Sequence, residues 1–147
     1  MIVELLLNGR RVAFEAGAGE TLLEALRRDG GLRSVRATCG IGVCGACTVL
    51  MDGQPVSACL MLAPQAAGRE VTTVEGLPPD DPVPRAFGDA RAFQCGYCTP
   101  GMILTASSLL REEPNPSDEQ VAEALGGNLC RCGCYPRIFE AVRRAAA

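Results

Sequence analysis

The feature that most limits what this chain can be is nine cysteines in 147 residues, with no histidine and no lysine beside them. All 14 basic residues are arginine. Without histidine there is no Ser-His-Asp triad, no Cys-His pair, no His-ligated zinc and no Rieske cluster. Without lysine there is no P-loop and no Schiff-base lysine. Aromatic residues make up 4% of the chain and tryptophan is absent, so the core must be aliphatic or reinforced by something other than side chains. At 48% hydrophobic and 21% charged the chain is globular rather than disordered.

Charge and hydropathy narrow the setting. The net charge is −3, and neither half forms a basic patch, so nucleic acid is not an expected partner. Apolar runs such as Leu5-Leu6-Leu7 and Cys59-Leu60-Met61-Leu62-Ala63 are far too short to span a bilayer, and no membrane insertion is expected. Met1-Ile2-Val3-Glu4 lacks the basic start of a signal peptide. The expected location is the cytoplasm. In that reducing compartment, many cysteines point to metal or redox chemistry rather than disulfides.

Patterning divides the chain in two. Val3, Leu5 and Leu7 alternate, Asn8-Gly9 follows, and Val12 and Phe14 alternate again, which predicts a hairpin. A helix is expected over 20–28, ended by Gly30-Gly31. Residues 39–47 read as a glycine-bearing loop. Thr48 to Met51 and Val56 to Leu60 around Asp52-Gly53 read as a second hairpin, and Val71 to Val74 as a further strand. The expected first domain, 1–77, is therefore a small α+β sheet of the β-grasp type. A proline-rich linker follows, and 78–147 reads as helical. Helices are expected over about 84–93, from a Thr99 cap with Pro100 at the first helical position, from Ser117 with Gln120 as a capping box to Leu125, and from about Pro136 onward.

The cysteines fall into two sets, one in each half. Cys39, Cys44, Cys47 and Cys59 have the C-x4-C-x2-C spacing, with a distant fourth member, of a plant-type [2Fe-2S] site. Gly40, Gly42 and Gly45 would let backbone N–H groups close on an anionic cluster. The fourth ligand is expected from a neighbouring strand. Zinc is the competing reading, but zinc ribbons pair two similar C-x2-C knuckles. The second set is Cys95, Cys98, Cys130 and Cys132. Cys98 should lie at a helix N-terminus, where partial positive charge favours thiolate, and Cys130 and Cys132 should precede the last helix in the same way. Cys134 is the ninth, so the spacing alone leaves 130/132 and 132/134 both open as the ligand pair.

Three motifs now carry a resemblance. They are Cys39-Gly40-Ile41-Gly42-Val43-Cys44-Gly45-Ala46-Cys47-Thr48-Val49, Gln94-Cys95-Gly96-Tyr97-Cys98-Thr99-Pro100-Gly101, and Gly127-Asn128-Leu129-Cys130-Arg131-Cys132. With these the chain resembles the small iron-sulfur subunit of the molybdenum hydroxylases, relatives of xanthine dehydrogenase, carbon monoxide dehydrogenase and isoquinoline oxidoreductase. The resemblance implies a β-grasp, plant-type ferredoxin-like domain followed by a four-helix-bundle-like [2Fe-2S] domain. It implies two [2Fe-2S] clusters, with Cys130 and Cys132 as ligands and Cys134 outside the set. It also places Gln94 and Cys132 against the molybdopterin cofactor of a large partner subunit.

The chain departs from the family at Gly133-Cys134, where cysteine stands in a place usually taken by glycine. On flavin the motifs divide. The Cys-Arg-Cys-Gly-x-Tyr run followed by Arg137-Ile138 is similar to members without a flavin subunit, whereas Cys98-Thr99-Pro100-Gly101-Met102 is similar to members with a medium FAD-binding subunit. The implied function is electron transfer from the molybdenum centre through both clusters to flavin or another acceptor. No catalytic residue is expected here, and Glu112, Glu113 and Glu119 read as solvated surface.

Overall fold

The structure, a computed structural model, describes residues 1–146. Strands β1 (Ile2–Leu7) and β2 (Arg10–Glu15) pair antiparallel. Their turn places Asn8 and Gly9 at φ 50° and 78°, the left-handed pair that Asn-Gly tolerates. The alternation along β1 buries Val3, Leu5 and Leu7. Helix α1 (Leu22–Arg28) starts later than its apolar pattern suggests, because Thr21 takes the cap. The Thr21 hydroxyl accepts from the Glu24 N–H at 3.2 Å, and the Glu24 carboxylate accepts from the Thr21 N–H at 2.8 Å. At its other end Asp29 is the cap, and the left-handed residue is Gly31, φ 61°.

Strands β3 (Thr48–Met51) and β4 (Gln54–Ser57) form the second hairpin around Asp52 and Gly53, at φ 49° and 83°. The second strand was expected to run on to Leu60. Instead the chain turns at Ser57, whose carbonyl accepts from the Leu60 N–H at 3.0 Å. Strand β5 (Glu70–Thr72) stops before Val74, because Thr73 is held by Asn8. The Asn8 side chain accepts from the Thr73 N–H and donates to its hydroxyl, both at 2.8 Å. The sheet order is β2-β1-β5-β3-β4, with β5 parallel to β1 and antiparallel to β3. Leu22, Leu23, Ala25 and Leu26 of α1 share one core with Val3, Leu5, Val49 and Val71.

Helix α2 (Pro82–Asp89) begins two residues early and ends well before Phe93. The Asp81 carboxylate caps it by accepting from the Val83 N–H at 3.0 Å, and Arg91 at φ 48° turns the chain away. Helix α3 (Thr99–Glu112) follows, then α4 (Asp118–Leu125), which opens with the expected Ser117/Gln120 capping box, and α5 (Tyr135–Ala146). Helix α2 packs on α5 and α3, and α4 packs on α3 and α5. Their core includes Phe87, Met102, Val121, Leu125, Ile138 and Val142.

Helix α3 also packs against β3 and β4, so the helices and the sheet share a boundary. Residues 101–108 of α3 are consequently all buried, including Thr105, Ser107 and Ser108. The Ser108 hydroxyl donates to the Gly53 carbonyl at 2.9 Å across that boundary. Among the described residues no helix is long and apolar enough to cross a membrane.

Candidate metal centres

The first thiol set gathers where the loop 39–47 meets the turn after β4. Cys59 therefore comes from a turn and not, as the spacing suggested, from a strand. Its N–H donates to Cys47 Sγ at 3.4 Å, and the Ala46 N–H donates to Cys44 Sγ at 3.5 Å. The N–H groups of Ile41, Cys44 and Val43 point at Cys39 and, with the Cys44 thiol, bring its pKa down to about 6. Burial pushes the Cys47 thiol up to about 11, with Cys59 and Cys44 alongside. Gly42 (φ 74°) lies under Leu60, where a Cβ would come within 2.2 Å of Leu60 Cδ1.

The second set joins the start of α3 to the segment before α5. The Tyr97 N–H and the Cys132 thiol face Cys95 and lower its pKa. The Tyr97 N–H donates to Cys95 Sγ at 3.5 Å. Burial, reinforced by the Cys130 thiol, pushes Cys98 up to about 12. At Cys130 burial opposes the charge, but the Cys134 N–H, at 3.4 Å from its sulfur, and the Cys98 thiol outweigh it. Cys95 thus lies beside Cys132, and Cys98 beside Cys130. Cys134 is buried next to Cys130, and burial raises its thiol.

Two helix starts differ from the sequence reading. Cys98, in right-handed helical conformation, is itself the cap of α3, so Thr99 is the first helical residue and its buried hydroxyl has no partner. Before α5 it is Cys134, and neither Cys130 nor Cys132, that directly precedes the helix, and its carbonyl accepts from the Ile138 N–H at 3.0 Å. The left-handed backbone in this segment falls on Gly133 (φ 72°), so Cys134 needs no glycine-like conformation.

The chemistry of both sets fits an iron-sulfur group. Each offers four soft sulfur donors with no carboxylate among them, and N–H groups aim at sulfurs in both. A lone thiolate at buried Cys47 or half-buried Cys98 is disfavoured, and a bound cation reverses that balance. Among the described residues no three His, Cys, Asp or Glu side chains form a group suited to a single metal ion. A [2Fe-2S] core is binuclear, and its four thiolates divide between two irons. Gln94 and Cys95 are exposed and Cys132 is half-buried. Phe93, Tyr97 and Leu129 leave apolar surface open near this second set, and Ile41, Val43 and Leu60 do so near the first.

The residues that join the two sets are not cysteines. Asn128 is 5% exposed and lies across the boundary between sheet and helices. Its side-chain NH2 donates to the Gly45 carbonyl and to Thr48 Oγ1, both at 3.2 Å. Its Oδ1 accepts from the Thr105 hydroxyl at 3.0 Å. Next to it the Leu129 N–H donates to the Cys44 carbonyl at 2.9 Å. The Tyr135 hydroxyl fixes the same segment, accepting from the Cys130 N–H at 2.8 Å and donating to the Asn128 carbonyl at 3.3 Å. On the other side the Tyr97 hydroxyl donates to the Ala37 carbonyl at 3.0 Å, and the Arg36 guanidinium stacks 5.1 Å from its ring. In the sequence Asn128 is marked only as a member of the Gly127-Asn128-Leu129-Cys130-Arg131-Cys132 motif, two places before a cysteine pair.

Glu75 ties the end of the sheet to the approach of the first loop. Its carboxylate accepts from Ser34 Oγ at 2.7 Å and from Thr73 Oγ1 at 2.5 Å. Partial burial works against the charge, yet these hydrogen bonds and nearby Arg36 hold the carboxyl below its usual 4.5. A depressed folded pKa stabilises above the unfolded value and is lost as pH falls through the folded one. Thermal melts should therefore show wild type above Glu75→Gln near neutral pH, with the gap closing below about 4.5. A gap that persists at low pH contradicts this.

Sheet, helices and two cysteine groups define a [2Fe-2S] protein of α+β ferredoxin-like fold. The family description "2Fe-2S iron-sulfur cluster binding domain" matches residues 5–73, and "[2Fe-2S] binding domain" matches residues 73–143. The chain is 47% identical to the nicotinate dehydrogenase small FeS subunit of Eubacterium barkeri, over 97% of this chain and 93% of that protein. It is 43% identical to isoquinoline 1-oxidoreductase subunit alpha of Brevundimonas diminuta, over 99% and 97%. The crystal structure of quinoline 2-oxidoreductase from Pseudomonas putida 86 superposes with a TM-score of 0.94 at 42% identity, covering 99% of this chain and 92% of that one. The chain belongs to the small [2Fe-2S] iron-sulfur subunits of the molybdenum hydroxylase family, and it is an electron-transfer component of an oxidoreductase.

Proposed function

We propose that Cys39, Cys44, Cys47 and Cys59 hold one [2Fe-2S] cluster and that Cys95, Cys98, Cys130 and Cys132 hold a second. In this reading 1–77 is a β-grasp domain and 78–147 a four-helix-bundle-like domain. Each cluster, when bound, accepts and releases one electron at a time. The observation that carries the reading is the gathering of the thiols into two groups, Cys39, Cys44, Cys47 and Cys59 in one and Cys95, Cys98, Cys130 and Cys132 with neighbouring Cys134 in the other, with N–H donors turned toward them. The chain's own part is to hold those thiolates, supply the donors that offset their charge, and keep water from the buried members Cys47 and Cys59.

The partner is a large subunit that carries molybdopterin and hydroxylates the substrate, with Gln94 and Cys132 placed against that cofactor. Exposed Phe93 and Leu129 support this face as the one a partner covers. A medium FAD-binding subunit or another acceptor takes the electrons on the other side, and the whole complex belongs in the cytoplasm, where thiols stay available for metal. In this reading the chain is an electron carrier, and the substrate site belongs to the large subunit.

The test is composition and spectroscopy of the chain purified with its partners. About four irons and four acid-labile sulfides per chain, with two reduced centres in electron paramagnetic resonance, are expected from eight ligands. Zinc in place of iron, or a single centre, overturns the reading.

A further inference from the structure

We propose that Asn128 is the positioning residue that sets the second cluster site against the first, and so governs the rate at which an electron passes between them. This rests on the reading that both thiol sets carry [2Fe-2S] clusters. Four observations converge on it. Asn128 is buried in the boundary, and its side-chain NH2 and Oδ1 both have partners there. Those partners lie on two different segments: Gly45 and Thr48 on the first cysteine loop as it enters β3, and Thr105 on α3, which starts directly after Cys98. Asn128 itself is two residues before Cys130, so a single side chain ties segments that carry ligands of both sets. The contact is also closely fitted: a Cβ on Gly45 would stand 2.7 Å from Asn128 Nδ2, and one on Gly101 would stand 3.3 Å from it.

The geometry makes a specific demand on chemistry. The site needs an acceptor toward Thr105 and donors toward Gly45 and Thr48. Asparagine supplies both at once. Aspartate keeps the acceptor and turns the donor end into a second acceptor facing the Gly45 carbonyl, which leaves two oxygens opposed in a buried place. The segment before Cys130 must then shift relative to the Cys44–Thr48 loop. Neither set loses a sulfur ligand, so each cluster can assemble while their mutual placement changes.

The experiment uses the complex purified with Asn128→Asp and, as a milder variant, Thr105→Val, which removes only the donor to Oδ1. Iron content and the separate spectra of the two centres show whether both clusters are present. The positioning readouts are the magnetic interaction between the two reduced centres, seen as splitting in electron paramagnetic resonance, and the inter-cluster electron-transfer rate after rapid one-electron reduction. The expected result is full iron content, a changed splitting and an inter-cluster rate lowered about tenfold in Asn128→Asp, the scale on which small misplacement acts at functional sites. Thr105→Val is expected to move both readouts in the same direction by less.

If either variant melts at lower temperature while splitting and rate match wild type, Asn128 is a stabilising residue only and the proposal is overturned. If Asn128→Asp fails to assemble, Thr105→Val decides on the same two readouts. If the wild-type complex itself lacks two interacting iron-sulfur centres, it is the underlying cluster reading that fails.

Discussion

Gly45→Ala is expected to be among the most damaging single-methyl additions this chain can receive. Gly45 has φ 69°, and a Cβ there would stand 2.2 Å from the Gly127 carbonyl oxygen and 2.7 Å from Asn128 Nδ2. The left-handed conformation alone costs a non-glycine residue about 1–2 kcal/mol. The clash adds roughly 1–3 kcal/mol, because a backbone carbonyl cannot swing aside as a side-chain tip can. A total of about 2–5 kcal/mol lowers the melting temperature by roughly 10 °C in a chain of this size. Two further variants separate the causes. Gly53→Ala has the positive φ, 83°, with open space around it, and should show the strain alone. Gly101→Ala has no left-handed strain, but its Cβ would stand 2.5 Å from the Gly45 carbonyl, so it should show the collision alone. If Gly45→Ala melts no lower than Gly53→Ala, the tight approach of sheet loop to helices is not what the structure describes.

The second large effect concerns the ninth cysteine. Cys132→Ser and Cys98→Ser are each expected to lose about two of the four irons, since a hydroxyl is a poor substitute for a thiolate on iron. Cys134→Ser should keep all of them. Cys134 offers Cys130 its backbone N–H, which serine retains, while burial disfavours the charged form of its own thiol. Iron analysis and visible absorption read both outcomes. Bleaching of Cys134→Ser alongside an intact Cys132→Ser would shift the ligand pair to 132/134.

Much of this was legible because it is local. The Asn8-Gly9 turn, the Ser117/Gln120 capping box and the C-x4-C-x2-C loop each act over a few residues, and each pattern carries its own cause. What escaped the sequence depends on distant partners. The second hairpin strand stops at Ser57 because the chain must turn there to bring Cys59 onto Cys47. Helix α3 begins one residue early because Cys98 adopts helical conformation, which leaves the Thr99 hydroxyl without the capping role its position suggested. Gly133, and not the residue after it, carries the left-handed backbone, so cysteine at 134 is no local misfit. Asn128 is the clearest case. Its partners Gly45 and Thr48 lie 83 and 80 residues away, and no periodicity or motif spacing reports a contact of that range.

The position of β5 in the sheet has a kinetic consequence. It is the last strand in the sequence and the central one in space, inserted between β1 and β3. The two hairpins can close early, each over a short turn, but the sheet remains in two pieces until residues 70–72 arrive. The parallel β1–β5 pairing spans more than sixty residues, and non-local closure of that kind is slow. The Leu6 and Asn8 amides, which donate to the Arg69 and Val71 carbonyls, should thus gain hydrogen-exchange protection after the hairpin amides during refolding. Simultaneous protection would argue against this order. Strand β5 joins β3 at Leu50 and Met51, the end away from Cys47, so the contact of Cys59 with Cys47 needs only the second hairpin and can form before the sheet is complete.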